Sequence, residues 1–128
     1  MFTHMRIARP VTNPDRSFLL YSNGLGLQKL GAFNDHAGFD GIMLGRADLG
    51  WHLEFTHCQD HPVKPLPTEE DLLVLYFSDE QAWRNTGEKM LAAGFIEVRS
   101  FNPYWAINGK TFADHDGYRV VLQNRAWA

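Results

Sequence analysis

The chain has 128 residues, of which 45% are hydrophobic and 21% are charged, and its formal net charge is -3. This length predicts one compact domain over 1–128, and the single cysteine, Cys58, excludes an internal disulfide framework or a four-cysteine zinc site. The basic residues are dispersed, which argues against nucleic-acid binding. No apolar run is long enough to cross a membrane and the first residues lack a signal-peptide pattern, so we expect a soluble, cytoplasmic protein without a membrane partner.

In the first half of the chain, the pattern predicts a strand over 5–11, a helix, and strands over 39–44 and 51–56. The helix begins after Asn13, a residue type that caps helix N-termini. Pro14 suits its first position because no backbone N–H is needed there. Two closely spaced glycines end the helix. Its predicted apolar face consists of Phe18, Leu19, Tyr21 and Leu25.

In the second half, a strand over 72–77 leads into Ser78-Asp79-Glu80-Gln81, which has the pattern of a capping box with the serine as N-cap. The helix that follows ends at Gly94. Its predicted inward-facing residues are Trp83, Met90 and Leu91, with Ala82 and Ala93. Three further strands are predicted over 95–101, 110–113 and 118–123. Asp116-Gly117 predicts a hairpin turn between the last two.

The two halves of the chain follow one pattern. Gly50-Trp51-His52-Leu53-Glu54-Phe55 and Gly117-Tyr118-Arg119-Val120-Val121-Leu122 share the order glycine, aromatic, polar, aliphatic, any residue, apolar, at an offset of 67 residues. We therefore predict two strand–helix–three-strand modules, about 5–57 and 70–124, joined by a proline-rich connector at about 60–68. The predicted fold is α+β: two βαβββ modules forming an open, cupped mixed β-sheet with helices on the outer face.

Two segments resemble a known superfamily. The run from Arg9 to Tyr21, followed by Gly24-Leu25-Gly26-Leu27, resembles the opening strand, helix and Leu-Gly-Leu exit of the vicinal oxygen chelate superfamily. Thr111 to Tyr118 resembles its Phe-x-Asp-Pro-Asp-Gly-aromatic turn, with His115 where proline is usual. The superfamily contains glyoxalases, bleomycin-resistance proteins, fosfomycin-resistance enzymes and extradiol dioxygenases. The resemblance covers nearly the whole chain and implies the same fold, whereas one fold of this kind supports many chemistries.

The resemblance implies metal ligands on the first and last strand of each module. The corresponding positions here are Arg6, Glu54, Leu72 and Val121. Of these, only the glutamate can bind a cation, because the two aliphatic side chains offer no lone pair and the guanidinium is itself positive. We therefore predict a metal-independent protein without a cofactor, similar to the bleomycin-resistance type, that binds a small organic ligand in the concave face of its sheet.

An alternative uses His52 with Glu54, which are two residues apart and therefore share one face of a strand. In this alternative the protein is an enzyme of the glyoxalase or dioxygenase type, that is, a lyase, an isomerase or a dioxygenase. Either Glu54 acts as the catalytic base, or His52 and Glu54 together hold a divalent metal ion. A third ligand would have to come from His4 or Tyr76. A separate cluster is interpreted as polar surface residues; it consists of His57, Cys58 and His61.

Arg6 and Glu54 are predicted to lie within hydrogen-bond reach, because both positions face the same cavity in the resembled fold. The guanidinium would then keep the carboxylate charged and paired. A structural salt bridge and a part in ligand recognition are both open for this pair.

The segment Ser100-Phe101-Asn102-Pro103-Tyr104-Trp105 has two interpretations: the wall of a ligand cavity, or an edge strand and loop folded over its mouth. The candidate ligand-binding residues are Arg6, His52, Glu54, Phe101, Asn102, Tyr104, Trp105 and Gln123. Trp127 is a candidate to cover a pocket or an interface.

Because each module leaves one sheet face without a helix, and because the resemblance also implies association, we expect a homodimer.

Overall fold

The computed structural model describes residues 1–127, and in it each half of the chain forms a four-stranded mixed sheet with one long helix. The first module contains β1 (Met5–Pro10), α1 (Pro14–Leu25), β2 (Gln28–His36), β3 (Phe39–Gly45) and β4 (Trp51–Cys58). The second contains β5 (Leu72–Tyr76), α2 (Glu80–Ala93), β6 (Ile96–Val98), α3 (Tyr104–Ile107), β7 (Gly109–Ala113) and β8 (Arg119–Gln123). The predicted α+β class and the two repeated modules are confirmed.

The strand order repeats between the modules, β1-β4-β3-β2 in the first and β5-β8-β7-β6 in the second. β1 runs parallel to β4 with Arg6 opposite His52, and β5 runs parallel to β8 with Leu72 opposite Arg119. This register makes Arg6 the counterpart of Leu72 and His52 the counterpart of Arg119. It agrees with the repeat read from the sequence.

Helix α1 begins and ends as the sequence predicts. The Asn13 side chain accepts a hydrogen bond from the backbone N–H of Arg16, and Gly26, at φ +72°, donates its own N–H to Ser22. The buried ring of Tyr21 packs edge-on against Phe55 of the sheet at 5.0 Å between centroids. Leu19, predicted to face the core, is instead exposed, and its neighbour Leu20 belongs to the buried face in its place.

Helix α2 begins one residue later than the capping-box prediction. Asp79 is the N-cap, with its carboxylate accepting from the N–H of Ala82 at 2.9 Å. The predicted cap at Ser78 is therefore wrong, because the neighbouring carboxylate is an equally good acceptor and sits closer to the helix start. The helix presents Gly87 and Met90 to the core, while Leu91, predicted inward, is exposed.

Three segments depart from the predicted strands. β2 forms over a stretch for which the sequence analysis delimited no individual strand, although the strand–helix–three-strand pattern required one. The predicted strand over 95–101 is reduced to β6, and the helix α3 follows within a few residues. Pro103 explains this change: it has no N–H for a sheet ladder, and the preceding Asn102 accepts from the N–H of Tyr104 to start a helical turn.

The hairpin between β7 and β8 forms at the predicted turn. Gly117 has φ +90°, and the Asp114 carboxylate accepts from the N–H groups of Asp116 and Tyr118.

The connector 60–68, all of which the structure describes, contains no helix or strand. Among residues 1–127, no helix is long and apolar enough to span a bilayer.

Each sheet has one face that carries its long helix and one face that does not, which we call the open face. In the first sheet α1 packs on the Phe55 side, so alternation places Glu54 on the open face. In the second sheet a methyl group at Gly87 of α2 would touch Phe112, so Thr111 lies on the open face. The short helix α3 contacts β7, and the Trp105 carbonyl lies against Gly109 on that open face.

Candidate functional site

A chain of polar side chains runs along the open face of the first module. The Arg6 Nε donates to His52 Nε2 at 2.9 Å, and its Nη1 lies 3.4 Å from Glu54 Oε2. His4 Nε2 lies 2.6 Å from His52 Nδ1. Because His52 accepts at Nε2, its proton must sit on Nδ1 and is donated to His4. We call these four residues the polar chain.

The polar chain is partly exposed to solvent. The Glu54 side chain retains 11% of its exposure, whereas the Arg6 side chain retains 50%. Partial burial lowers the pKa of His52 below its ordinary value, the positive charge of Arg6 and the electrostatic interaction with His4 lower it further, and only Glu54 opposes them. His52 is therefore held neutral, in the state that can accept from Arg6.

The donor set on this face does not fit a metal ion. Of the implied ligand positions, Arg6 and Glu54 lie on this face and pair with each other, while Leu72 and Val121 belong to the second module and offer no lone pair. His52, the alternative ligand, has both ring nitrogens engaged within the polar chain. Across residues 1–127, no group of three or more His, Cys, Asp or Glu residues is placed to hold a metal, and this includes the cluster at 57–61.

The open face of the second module carries two adjacent cavities, of about 260 and 480 Å³. The smaller one, which we call the Thr111 cavity, has apolar walls from Leu72 and Val74 of β5. Both cavities share the side chains of Ser100, Phe101, Trp105 and Thr111. The segment that ends in α3 therefore forms a common wall between them.

Two buried polar atoms near this wall have no hydrogen-bond partner. Thr111 lines both cavities and is only 3% exposed, and its hydroxyl is one of these two atoms. The Gln123 Oε1 is equally buried and lies where a methyl group on Gly109 would stand. An unsatisfied buried polar group costs about 1–3 kcal/mol, so such groups in a folded protein call for an explanation.

The candidate residues taken from the sequence fall into two groups. Arg6, His52 and Glu54 join in the polar chain of the first module. In the second module, Phe101, Asn102 and Trp105 line the Thr111 cavity. Tyr104 is exposed and packs edge-on against Trp105, with 4.9 Å between ring centroids; Gln123 is buried beside Gly109. Trp127 is exposed and lies 5.6 Å from Tyr76 between ring centroids.

Among the residues of the Thr111 cavity that sequence reasoning missed are Thr111 itself and Arg119. Arg119 was recoverable, because the repeat makes it the counterpart of His52. Thr111 was harder to identify from the sequence, because its burial depends on α3, which the sequence did not predict.

Comparisons with known proteins agree with this architecture. The YycE-like N-terminal domain family matches residues 5–56, and the YycE-like C-terminal domain family matches residues 70–124. The uncharacterized protein YycE of Bacillus subtilis is 38% identical over 120 residues, which cover 94% of this chain and 86% of that protein. A crystal structure of a YycE protein of unknown function from Bacillus subtilis superposes with a TM-score of 0.91 at 36% identity, covering 98% and 92% of the two chains.

More distant structures share the fold. Glyoxalase I of Leishmania major superposes with a TM-score of 0.75 at 16% identity, covering 98% of this chain and 88% of that one. TnmS3, an antibiotic binding protein from a Streptomyces species, superposes with a TM-score of 0.67 at 16% identity, covering 96% and 95%. These neighbours confirm the vicinal oxygen chelate fold that the sequence resembles.

Proposed function

This chain belongs to the YycE-like family of the vicinal oxygen chelate superfamily, and from that premise we propose that it binds a small organic ligand, without a metal ion, in the Thr111 cavity. The observation that carries the proposal is the Thr111 hydroxyl, which is buried on the cavity wall and has no partner. A ligand that hydrogen-bonds to this hydroxyl would relieve the cost of its burial. Aromatic walls with a few polar groups are typical of small-molecule sites.

Metal independence is part of the proposal and is supported by the polar chain. A cation at Glu54 would have to displace the Arg6 guanidinium, and among residues 1–127 no three His, Cys, Asp or Glu side chains are grouped to hold it. Elemental analysis of untagged protein should find no stoichiometric transition metal, and added Zn²⁺, Ni²⁺ or Mn²⁺ should leave the melting temperature nearly unchanged. Near-equimolar bound metal would contradict this part of the proposal.

The alternative of an enzyme with Glu54 as its base receives no support from the geometry. One carboxylate oxygen is paired with Arg6, and the neutral His52 already uses its lone pair to accept from the same guanidinium. An imidazole whose lone pair is already used is not the free base that proton abstraction needs.

The ligand proposal is tested with neutral flat aromatics as probes, phenol and indole, whose binding is measured by calorimetry and thermal melts. We expect saturable binding and a rise in melting temperature with probe concentration. Trp105→Ala should abolish both effects, whereas Trp127→Ala, which changes an exposed tryptophan outside the cavity lining, should keep them. Absence of saturable binding for both probes, together with no retained compound in native mass spectrometry, would contradict the proposal.

We also propose that two copies of the chain form a homodimer. Large apolar side chains are exposed in both modules, among them Leu30 and Phe39 in the first and Ile96 and Ile107 in the second. Exposed apolar surface of this kind is what permanent homodimers bury.

A further inference from the structure

We propose that the ligand of the Thr111 cavity is a single-ring aromatic carboxylate, with its carboxylate held between Arg119 and the Thr111 hydroxyl and its ring against Trp105. This inference rests on the proposed function and assigns the chemical class of the ligand. It follows from where charge, hydrogen-bonding capacity and aromatic surface lie within one cavity.

The position of Arg119 beside Thr111 is fixed by the sheet register. In the β7–β8 pair, Thr111 stands opposite Val121, and Arg119 is two residues before that valine on the same open face. Such diagonal neighbours are about 7–8 Å apart at the backbone, which a long side chain spans easily. Both side chains line the cavity, so a small anion between them can contact the guanidinium and the hydroxyl at once.

Both groups have donor capacity for a carboxylate. The Thr111 hydroxyl has no partner, and Arg119 makes one long hydrogen bond, from Nη1 to the Arg99 carbonyl oxygen at 3.4 Å. That bond uses one of the five N–H groups of the guanidinium, whose fork geometry matches a carboxylate. Hydrogen bonds between a guanidinium and a carboxylate are stronger than those between neutral groups.

The charges around the cavity favour an anion over a cation beside Arg119. Arg119 is the one cation among the residues that line the Thr111 cavity, and it is partly buried. The two acidic lining residues, Glu69 and Glu70, are exposed, so water screens their charge. An interaction with the partly buried guanidinium is screened less and therefore outweighs the repulsion from the exposed carboxylates.

The size and walls of the cavity select an aromatic ring. Its volume of about 260 Å³ is below the usual range for drug-sized ligands and suits one ring with a carboxylate. Trp105, Phe101, Leu72 and Val74 supply apolar surface around that space. A flat ring buries more area against such walls than an aliphatic acid of similar mass.

The test compares three probes of nearly equal shape: benzoate, benzamide and benzylamine. Titrations by calorimetry and tryptophan fluorescence should give a dissociation constant for benzoate at least tenfold below that for benzamide, with benzylamine the weakest. Arg119→Gln should remove the preference for benzoate over benzamide, and Arg119→Lys should restore part of it. Arg84→Gln is the matched control, because it changes an exposed arginine of α2 outside the Thr111 cavity.

Thr111→Val separates a binding role from a structural one. Valine keeps the shape and removes an unsatisfied buried hydroxyl, so the melting temperature of the free protein should stay the same or rise. The affinity for benzoate should nevertheless fall several-fold. A fall in melting temperature with unchanged benzoate affinity would overturn the role of the hydroxyl.

The outcomes distinguish this inference from the proposed function. Equal affinity for benzoate and benzamide, or tighter binding of benzylamine, would overturn the carboxylate assignment while leaving a neutral-ligand site intact. Failure of all three probes, together with failure of phenol and indole, would overturn the site itself.

Discussion

The strength of the Arg6–Glu54 pair follows from its exposure. A fully buried ion pair costs about 3–5 kcal/mol when one partner is removed, whereas an exposed pair contributes below about 1 kcal/mol. Since half of the Arg6 side chain is exposed and the N–O distance is 3.4 Å, we expect the weaker case. A double-mutant cycle with Arg6→Met and Glu54→Gln, measured by urea melts, should give a coupling free energy below about 1 kcal/mol. A coupling of 3 kcal/mol or more would require a buried pair.

His52 makes the stability of the protein depend on pH. Its pKa is lowered by burial, by the charge of Arg6 and by the electrostatic interaction with His4, so the unfolded state binds its proton more readily. The contribution of His52 is therefore complete above about pH 6.5, the ordinary histidine pKa, and declines as the pH falls below it. Proton NMR should show His52 titrating below that value.

His52→Gln should flatten the pH dependence of the melting temperature between about pH 6.5 and 5, because the titrating group is gone. His61→Gln, at an exposed connector histidine, is the matched control and should leave that dependence as it is. If the two variants behaved alike, His52 would not be the group that links proton binding to folding.

The contact between Arg6 and Glu54 could be predicted from the sequence, because both positions face the same cavity in the resembled fold and the repeat supports that register. The unsatisfied Thr111 hydroxyl could not. Alternation places Thr111 on the open face, but its burial depends on a turn of helix that Pro103 and Asn102 start several residues earlier in the chain. Residue pattern gives the direction of a side chain; only the tertiary structure gives what covers it.

The start of helix α2 gives a matched pair of variants. Asp79→Ala removes the carboxylate that accepts from the Ala82 N–H and should destabilise the protein by about 1 kcal/mol. Ser78→Ala changes the residue that the sequence pattern favoured as the cap and should cost close to nothing. Urea melts of both variants measure the two losses of unfolding free energy. Equal losses would mean that the cap is shared between the two residues.

Gly109 couples α3 to the wall of the cavities. A methyl group there would overlap the Gln123 amide oxygen and the Trp105 carbonyl oxygen, so Gly109→Ala must push α3 away from β7. We expect a loss of about 1–3 kcal/mol in stability, as for other overpacking changes, and weaker binding of indole. Gly50→Ala, where a methyl group meets nothing within 4 Å, should change neither. Unchanged indole affinity in Gly109→Ala would show that α3 does not shape the cavity.

Short elements such as α3 and β6 were the least predictable from the sequence, while the capped helices were the most. Asn13-Pro14 and Gly26 define α1 by local chemistry alone, so its ends needed no tertiary information. β6 has three residues, too few for alternation to distinguish a strand from a turn. The repeat itself remained readable because the parallel pairs β1–β4 and β5–β8 impose the same register in both modules.

The assembly state follows from the apolar surface that a single chain leaves exposed. Exposed Phe2, Leu66, Ile96 and Trp127 are costly in water, and association of two copies would remove such surface from solvent. Sedimentation should therefore give twice the chain mass of 14.7 kDa at micromolar concentration. The melting temperature should also rise with protein concentration, because dimerisation stabilises the folded state by mass action. A 14.7 kDa species at every concentration, with a constant melting temperature, would contradict the dimer.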